Sequence, residues 1–149
     1  MKVLVYGSQG WIGQQFTEIL SSACVDFVAG KSRLNDPDSV SREMDTHKPT
    51  HVVSFTGRTH GSIGDKQYTT IDYLEHPGKL VDNVRDNLYG PIVLAKICSE
   101  KAIHLTYLGT GCIFKFDQDH PFGKAENGFR EDALPNFFGS SYSIVKGFT

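Results

Sequence analysis

Three groups of residues in this chain have the types and spacing for chemistry. Gly7, Gly10 and Gly13 recur at every third position near the start, Thr110 and Cys112 lie two apart, and Tyr142 and Lys146 lie four apart near the end. On a helix, a spacing of four places Tyr142 and Lys146 on one face. A phenol with an ordinary pKa of about 10 is a poor acid–base group at neutral pH. A neighbouring ammonium favours the phenolate and moves that value toward the working range. Thr110 offers a hydroxyl that can hydrogen-bond a substrate carbonyl beside such a phenol; its plain structural role is that of a turn residue. In an extended segment Cys112 points the same way as Thr110. A lone cysteine is more often a small buried hydrophobe, and both readings stand at this point.

The glycines follow the apolar run Val3-Leu4-Val5-Tyr6 and precede Trp11 to Leu20, whose apolar positions recur at helical spacing. A strand, a glycine turn and a helix are the parts of a dinucleotide site. Glycine permits the tight turn, lets backbone approach a pyrophosphate and lets the helix pack on the sheet. The helix N-terminus then presents free N–H groups and partial positive charge to phosphates. The end of the second strand, Val25 to Ala29, indicates which nicotinamide cofactor fits. An acid there suits a free ribose 2′-hydroxyl, and a base suits a 2′-phosphate. The sequence reads Gly30-Lys31-Ser32-Arg33, with no acid until Asp36. NADP(H) is therefore favoured over NAD(H); a solvated basic loop is the alternative.

The elements that must position these groups alternate. Asp36-Pro37 reads as an N-cap and first helical residue, opening a helix to about His47. His51 to Phe55 is a third strand, 56–71 a polar loop, 78–101 a long helix bent at Pro91, and Ile103 to Leu108 a fourth strand. A loop over 109–140 leads to a final helix near Ser141, with Glu131-Asp132 expected to border or cap the segment before Tyr142. Strands alternating with helices predict an α/β fold, a Rossmann-like doubly wound parallel sheet with helices on both faces. The last helix has no room to finish. The sequence is therefore expected to be a truncated nucleotide-binding domain, 1–149, whose substrate domain lies beyond Thr149.

Bulk properties exclude several classes. The net charge is −2 over 149 residues, with no basic surface for a nucleic-acid backbone. No apolar run approaches the ~20 residues of a membrane helix. Three cysteines (Cys24, Cys98, Cys112) without close spacing indicate neither a disulfide framework nor a zinc site, and a reducing cytoplasm is the simplest setting. The histidines form no metal-ligand pattern, because His47 and His51 straddle Pro49.

Taken together, these stretches resemble the extended short-chain dehydrogenase/reductases. More narrowly they resemble the bifunctional nucleotide-sugar 3,5-epimerase/4-reductases of UDP-L-rhamnose formation. The carriers are Gly7-Ser-Gln-Gly10-Trp11-Ile12-Gly13, Gly30-Lys31-Ser32-Arg33-Leu34, Lys48-Pro49-Thr50-His51-Val52, Asn87-x-x-Gly90, Thr110-Gly111-Cys112-Ile113-Phe114 and Pro135-Asn136-Phe137-Phe138-Gly139-Ser140-Ser141-Tyr142-Ser143. The resemblance implies that Thr110, Tyr142 and Lys146 form the reductase triad and that Asn87 supports the site. It also implies that Gly7, Gln9, Gly10, Trp11, Ile12, Gly13, Lys31, Ser32, Arg33, Asn87 and Lys146 bind NADP(H). Cys112 gains an epimerase role, since the related GDP-fucose synthases carry a catalytic cysteine at the same offset from the catalytic hydroxyl residue. A nucleotide sugar is the implied substrate, and a homodimer stays open as the assembly. Relatives often read Asn-Ala-Ala after the third strand, where this chain has Ser54-Phe55-Thr56-Gly57, so contacts there differ. Gly57-Arg58-Thr59-His60 is equally a substrate contact or a plain polar loop. Two rival functions remain: a 4-reductase without epimerisation, and a non-catalytic NADP(H)-sensing module.

Overall fold

The structure is a computed structural model that describes residues 1–130 and 132–149; the expectation attached to Glu131 lies outside the described residues. Its main sheet is parallel. Strands β1 (Lys2–Tyr6), β2 (Asp26–Ala29), β3 (His51–Ser54) and β6 (His104–Tyr107) lie in the order β2-β1-β3-β6. The chain leaves β1 toward β2 on one side and returns to β3 on the other. The crevice beyond the carboxyl ends of β1 and β3 is thus the topological switch point where such sheets take ligands.

Alternation along β1 explains how one strand serves two cores. Leu4 and Tyr6 join Val52 in packing against helix α2 (Pro37–His47) through Val40 and Met44, and against helix α4 (Gly90–Glu100) through Leu94, Ile97 and Cys98. Val3 and Val5 point the other way, toward Leu20 and Phe16 of helix α1 (Trp11–Ser22). Asp36 caps α2 as its position before Pro37 predicts, accepting the Ser39 N–H at 3.2 Å.

Two features differ from the sequence reading. Residues 56–71 are not all loop: β4 (Gly61–Ile63) and β5 (Lys66–Tyr68) pair antiparallel with Ile63 opposite Lys66. The two-residue Gly64-Asp65 turn, with Gly64 at φ +56°, is what such a tight hairpin requires. Ile63 and Tyr68 lie against the buried cluster of Tyr73, Leu74 and Tyr142, which gives the hairpin a packing partner. The long helix, in turn, is not simply bent. Helix α3 (Leu80–Val84) widens into a π-helical turn over Arg85–Tyr89 before continuing as α4. Pro91 has no N–H to offer the carbonyl one turn back, and its ring crowds that carbonyl, so the backbone opens there. A last helix, α5 (Ser141–Lys146), carries Tyr142 and Lys146. No described helix is long and apolar enough to cross a membrane.

Leu94, fully buried between α4 and the sheet, sets the stability of this architecture. Leu94→Ala is expected to cost about 2–5 kcal/mol in urea unfolding, against less than about 0.5 kcal/mol for Ile92→Ala, two residues back and half exposed.

Candidate active site

The glycine turn lies where β1 ends. Gly7 adopts φ +77°, and a Cβ there would stand 3.0 Å from the Phe55 carbonyl carbon. A Cβ on Gly13 would come within 2.1 Å of the Gly7 carbonyl oxygen, so only glycine lets α1 start this close to the strand. Gly10 is different: a Cβ there would meet only the Gly7 oxygen, at 3.4 Å, and the rest of its space belongs to an open cleft of ≈ 380 Å³. Gly7 and Gly10 form one wall of this cleft, Ser32 and Arg33 a second, and Gly57, Arg58, Arg85 and Asp86 a third.

Charge suits the cleft to phosphates. Arg58 and Arg85 both engage Asp86, Arg85 through Nε to Oδ1 at 2.8 Å, and Arg85 also reaches Asp82 at 3.0 Å. Burial works against the Asp86 charge, but the two guanidinium partners outweigh it and hold the carboxyl below its ordinary range. Arg33 forms no salt bridge among the described residues. The lining carries three guanidinium groups and one carboxylate, so a polyanion fits its sign.

Not every predicted cofactor residue faces the cleft. Trp11 is 80% exposed, and neither it nor Gln9, Ile12 or Gly13 lines the space. Trp11 and Ile12 have instead the first N–H groups of α1 to offer, and the Gln9 carbonyl accepts from Gln14 Nε2 at 2.9 Å. Lys31 is exposed and outside the lining. Asn87 is fully buried and does not line the cleft. Its Oδ1 accepts the Arg58 N–H at 2.7 Å, while its Nδ2 donates to the Arg58 carbonyl and to Asn83 Oδ1, both at 2.8 Å.

Thr110, Cys112 and Tyr142 come together beyond the end of β6. The backbone turns in a 3-10 turn over Gly111–Ile113, so Thr110 and Cys112 are not in the extended segment that the sequence suggested. Thr110 Oγ1 accepts the Cys112 N–H at 3.2 Å. Tyr142 is buried, and the helix that carries it packs against the Gly111–Ile113 turn. Burial pushes the Tyr142 pKa up, the Thr110 hydroxyl works against this, and the nearby thiol adds to it. Lys146 does not lower this value as its spacing led us to expect. Its Nζ donates to the Tyr107 hydroxyl and lies 4.4 Å from that ring's centre, so its charge is directed at the second tyrosine. Burial alone pushes the Lys146 ammonium down to about 8.

Sequence reasoning missed the supports of this constellation. Glu75 reaches across to the start of α5, accepting the Ser141 N–H and hydroxyl at 3.0 Å each and the Tyr142 N–H at 3.3 Å. Asn83 donates to Ser141 Oγ at 3.2 Å. The spacing of Asn83 and Asn87 carries a signal, since two amides one helical turn apart can pair. Nothing local announces Glu75 or Tyr107.

A parallel sheet with a glycine turn at its switch point and a Tyr/Lys helix at its edge defines a Rossmann-like domain. In sequence the chain is similar to nucleotide-sugar epimerase/reductases. Protein L780 of Acanthamoeba polyphaga mimivirus is 54% identical over 149 residues, 100% of this chain and 50% of L780. The crystal structure of the L780 UDP-rhamnose synthase superposes with a TM-score of 0.88 over 99% of this chain and 50% of that one. A bifunctional dTDP-4-dehydrorhamnose 3,5-epimerase/dTDP-4-dehydrorhamnose reductase of Arabidopsis thaliana is 36% identical over 143 residues, 96% of this chain and 44% of its own length. The chain thus spans about half the length of these relatives. A dTDP-4-dehydrorhamnose reductase of Bacillus anthracis, solved in complex with NADP, shares the fold at TM-score 0.76 and 19% identity over 99% of this chain and 46% of that one. No model of a protein family matches the sequence.

The depressed Lys146 value makes a stability prediction. An unfolded lysine keeps its proton to about pH 10.5 and the folded one only to about 8. The unfolded state therefore binds more protons in that window, and the stability this group contributes rises with pH there and is lost as pH falls through about 8. Lys146→Met removes the buried charge. It is expected to raise the melting temperature at pH 7, by a margin that shrinks between pH 8 and pH 9; an equal margin at every pH would contradict the burial argument.

Proposed function

We propose that this chain is the cofactor-binding half of an NADPH-dependent 3,5-epimerase/4-reductase that converts a nucleotide-linked 4-keto-6-deoxyhexose to a nucleotide-L-rhamnose. The observation that carries the reading is the packing of the Tyr142 helix against the turn that holds Thr110 and Cys112 at the sheet's carboxyl edge, in a chain 54% identical along its whole length to L780. NADPH, when bound, supplies the hydride. The cleft's glycine wall and guanidinium groups suit its phosphates, and Ser32 and Arg33 of the lining are assigned to the 2′-phosphate in this reading.

The residues divide the remaining work. The Thr110 and Tyr142 hydroxyls hold the C4 carbonyl oxygen, which polarises the ketone and acidifies the protons on C3 and C5. The same hydroxyls stabilise the enolate while the Cys112 thiolate takes one of these protons and a proton returns on the opposite face. In reduction, Tyr142 gives its proton to the C4 oxygen. Burial alone would make the phenol a weaker donor, so in this reading the Thr110 hydroxyl, which works against that shift, helps Tyr142 to act as the acid. Lys146 and Tyr107 form the cationic pair behind it. The half of each relative that this chain does not match is where the reading places the sugar-nucleotide domain. Three free thiols fit a reducing setting such as the cytoplasm, and a homodimer is the assembly carried over from the resemblance.

The test is turnover of UDP-4-keto-6-deoxyglucose with NADPH in deuterated water. Tyr142→Phe is expected to lower the reductase kcat by about 10²–10⁴. Cys112→Ala should keep reduction of an already epimerised 4-keto sugar and lose deuterium wash-in at C3 and C5. Wash-in that survives Cys112→Ala would rule out Cys112 as the epimerase base, and a wild-type protein without wash-in would be a 4-reductase alone. Full NADPH affinity without any turnover would favour the sensing module.

A further inference from the structure

The loop that brings Ser32 and Arg33 to the cleft is fastened from behind by a single side chain. Glu43, on α2, is half-buried beneath it. Its Oε1 accepts the Lys31 N–H at 2.7 Å, and its Oε2 accepts the Ser32 N–H at 3.1 Å and the Tyr6 hydroxyl at 2.9 Å. Ser32 Oγ adds a second tie to α2, donating to the Ser39 carbonyl at 3.1 Å. Tyr6 is 1% exposed and ends β1, directly before the glycine turn. Burial, then Glu43, push its pKa far up, so its hydroxyl remains a donor at every working pH. Burial opposes the charge of Glu43, and the Lys31 and Ser32 N–H groups outweigh that opposition, holding the carboxyl below its usual range.

This arrangement inverts the usual use of an acid near the second strand. A carboxylate on the strand end accepts ribose hydroxyls and selects the cofactor without a 2′-phosphate. Here the carboxylate comes from the helix, and three of its roughly four acceptor sites are filled by the protein's own donors. It has little left for a ribose, and its negative charge is stabilised by those neutral donors where it stands. Its oxygens instead fix two consecutive backbone N–H groups, and with them the direction in which residues 32 and 33 leave the loop. Neither Glu43 nor Lys31 lines the cleft, whereas Ser32 and Arg33 do.

We propose that Glu43 is a positioning residue for cofactor choice: by clamping the backbone at Lys31 and Ser32 it aims Ser32 and Arg33 at the 2′-phosphate, and so sets the preference for NADPH over NADH. This rests on the NADP(H) reading given above. Glu43→Gln keeps the side chain's size but replaces one acceptor oxygen by an amide that faces donors.

The experiment titrates NADPH and NADH separately against the wild-type protein, Glu43→Gln, Arg33→Ala and the double variant, reading reduced-nicotinamide fluorescence. Glu43→Gln is expected to weaken NADPH about tenfold and NADH by less than about twofold, as loss of a charge-assisted hydrogen bond to one ligand group would. The double variant should lose little beyond Arg33→Ala, because Glu43 acts through Arg33. A merely structural Glu43 would weaken both cofactors together, or lower the melting temperature with the ratio unchanged; either result overturns the proposal. If Glu43→Gln does not fold, Glu43→Asp, which withdraws the carboxylate by one methylene, takes its place with the same expected ratio. Wild-type protein that binds NADH as tightly as NADPH would overturn the NADP(H) reading and the proposal with it. A preserved wild-type preference that Glu43→Gln leaves intact overturns only the proposal.

Discussion

Two buried asparagines, one helical turn apart, hold the cleft and the tyrosine helix in one fixed relation. Asn87 takes both the N–H and the carbonyl of Arg58, and its remaining donor goes to Asn83, which passes the contact on to Ser141 at the start of α5. An amide left without a partner in a dry interior costs about 1–3 kcal/mol. Every link must therefore close at once, and the described residues contain no buried side-chain polar atom without a partner. The loop after β3, the widened helix and α5 meet in this chain of contacts. Their mutual placement follows from hydrogen-bond geometry as much as from apolar packing.

Two glutamates repeat one device at the two edges of the site. Glu43 saturates its oxygens on the backbone of the 31–32 segment, and Glu75 does so on the first N–H groups of α5. In both cases a carboxylate from a distant element replaces the local hydrogen bonds that a loop or a helix start lacks. The arginines differ. Arg58 and Arg85 neutralise Asp86 but remain on the cleft wall, where their charge is still available to a ligand. The two glutamates thus brace the scaffold, while guanidinium groups outnumber the one carboxylate that faces the open space.

What the sequence made legible was local. The apolar run of Val3 to Tyr6, the glycine turn, and Asp36-Pro37 each encode their conformation within a few residues, and the strands and helices they predict are present. The hairpin over Gly61–Tyr68 was missed although Gly64-Asp65 is a turn signal, because its strands are three residues long and only one of their faces is apolar. The π-helical turn was read as a bend, since Pro91 announces a disturbance but not its form. Glu43, Glu75 and Tyr107 were invisible for a different reason. Each acts on a partner 11 to 67 positions away, and no spacing rule reaches that far. The same holds for Lys146: helical periodicity places it beside Tyr142 correctly, yet only the fold shows that its ammonium turns to Tyr107.

Lys146 also makes the fold carry a cost. A buried amine whose charge is suppressed by its surroundings opposes folding, as an aliphatic side chain of similar length would not. In exchange the interior holds an amine whose charge switches near pH 8, far closer to neutrality than that of a free lysine.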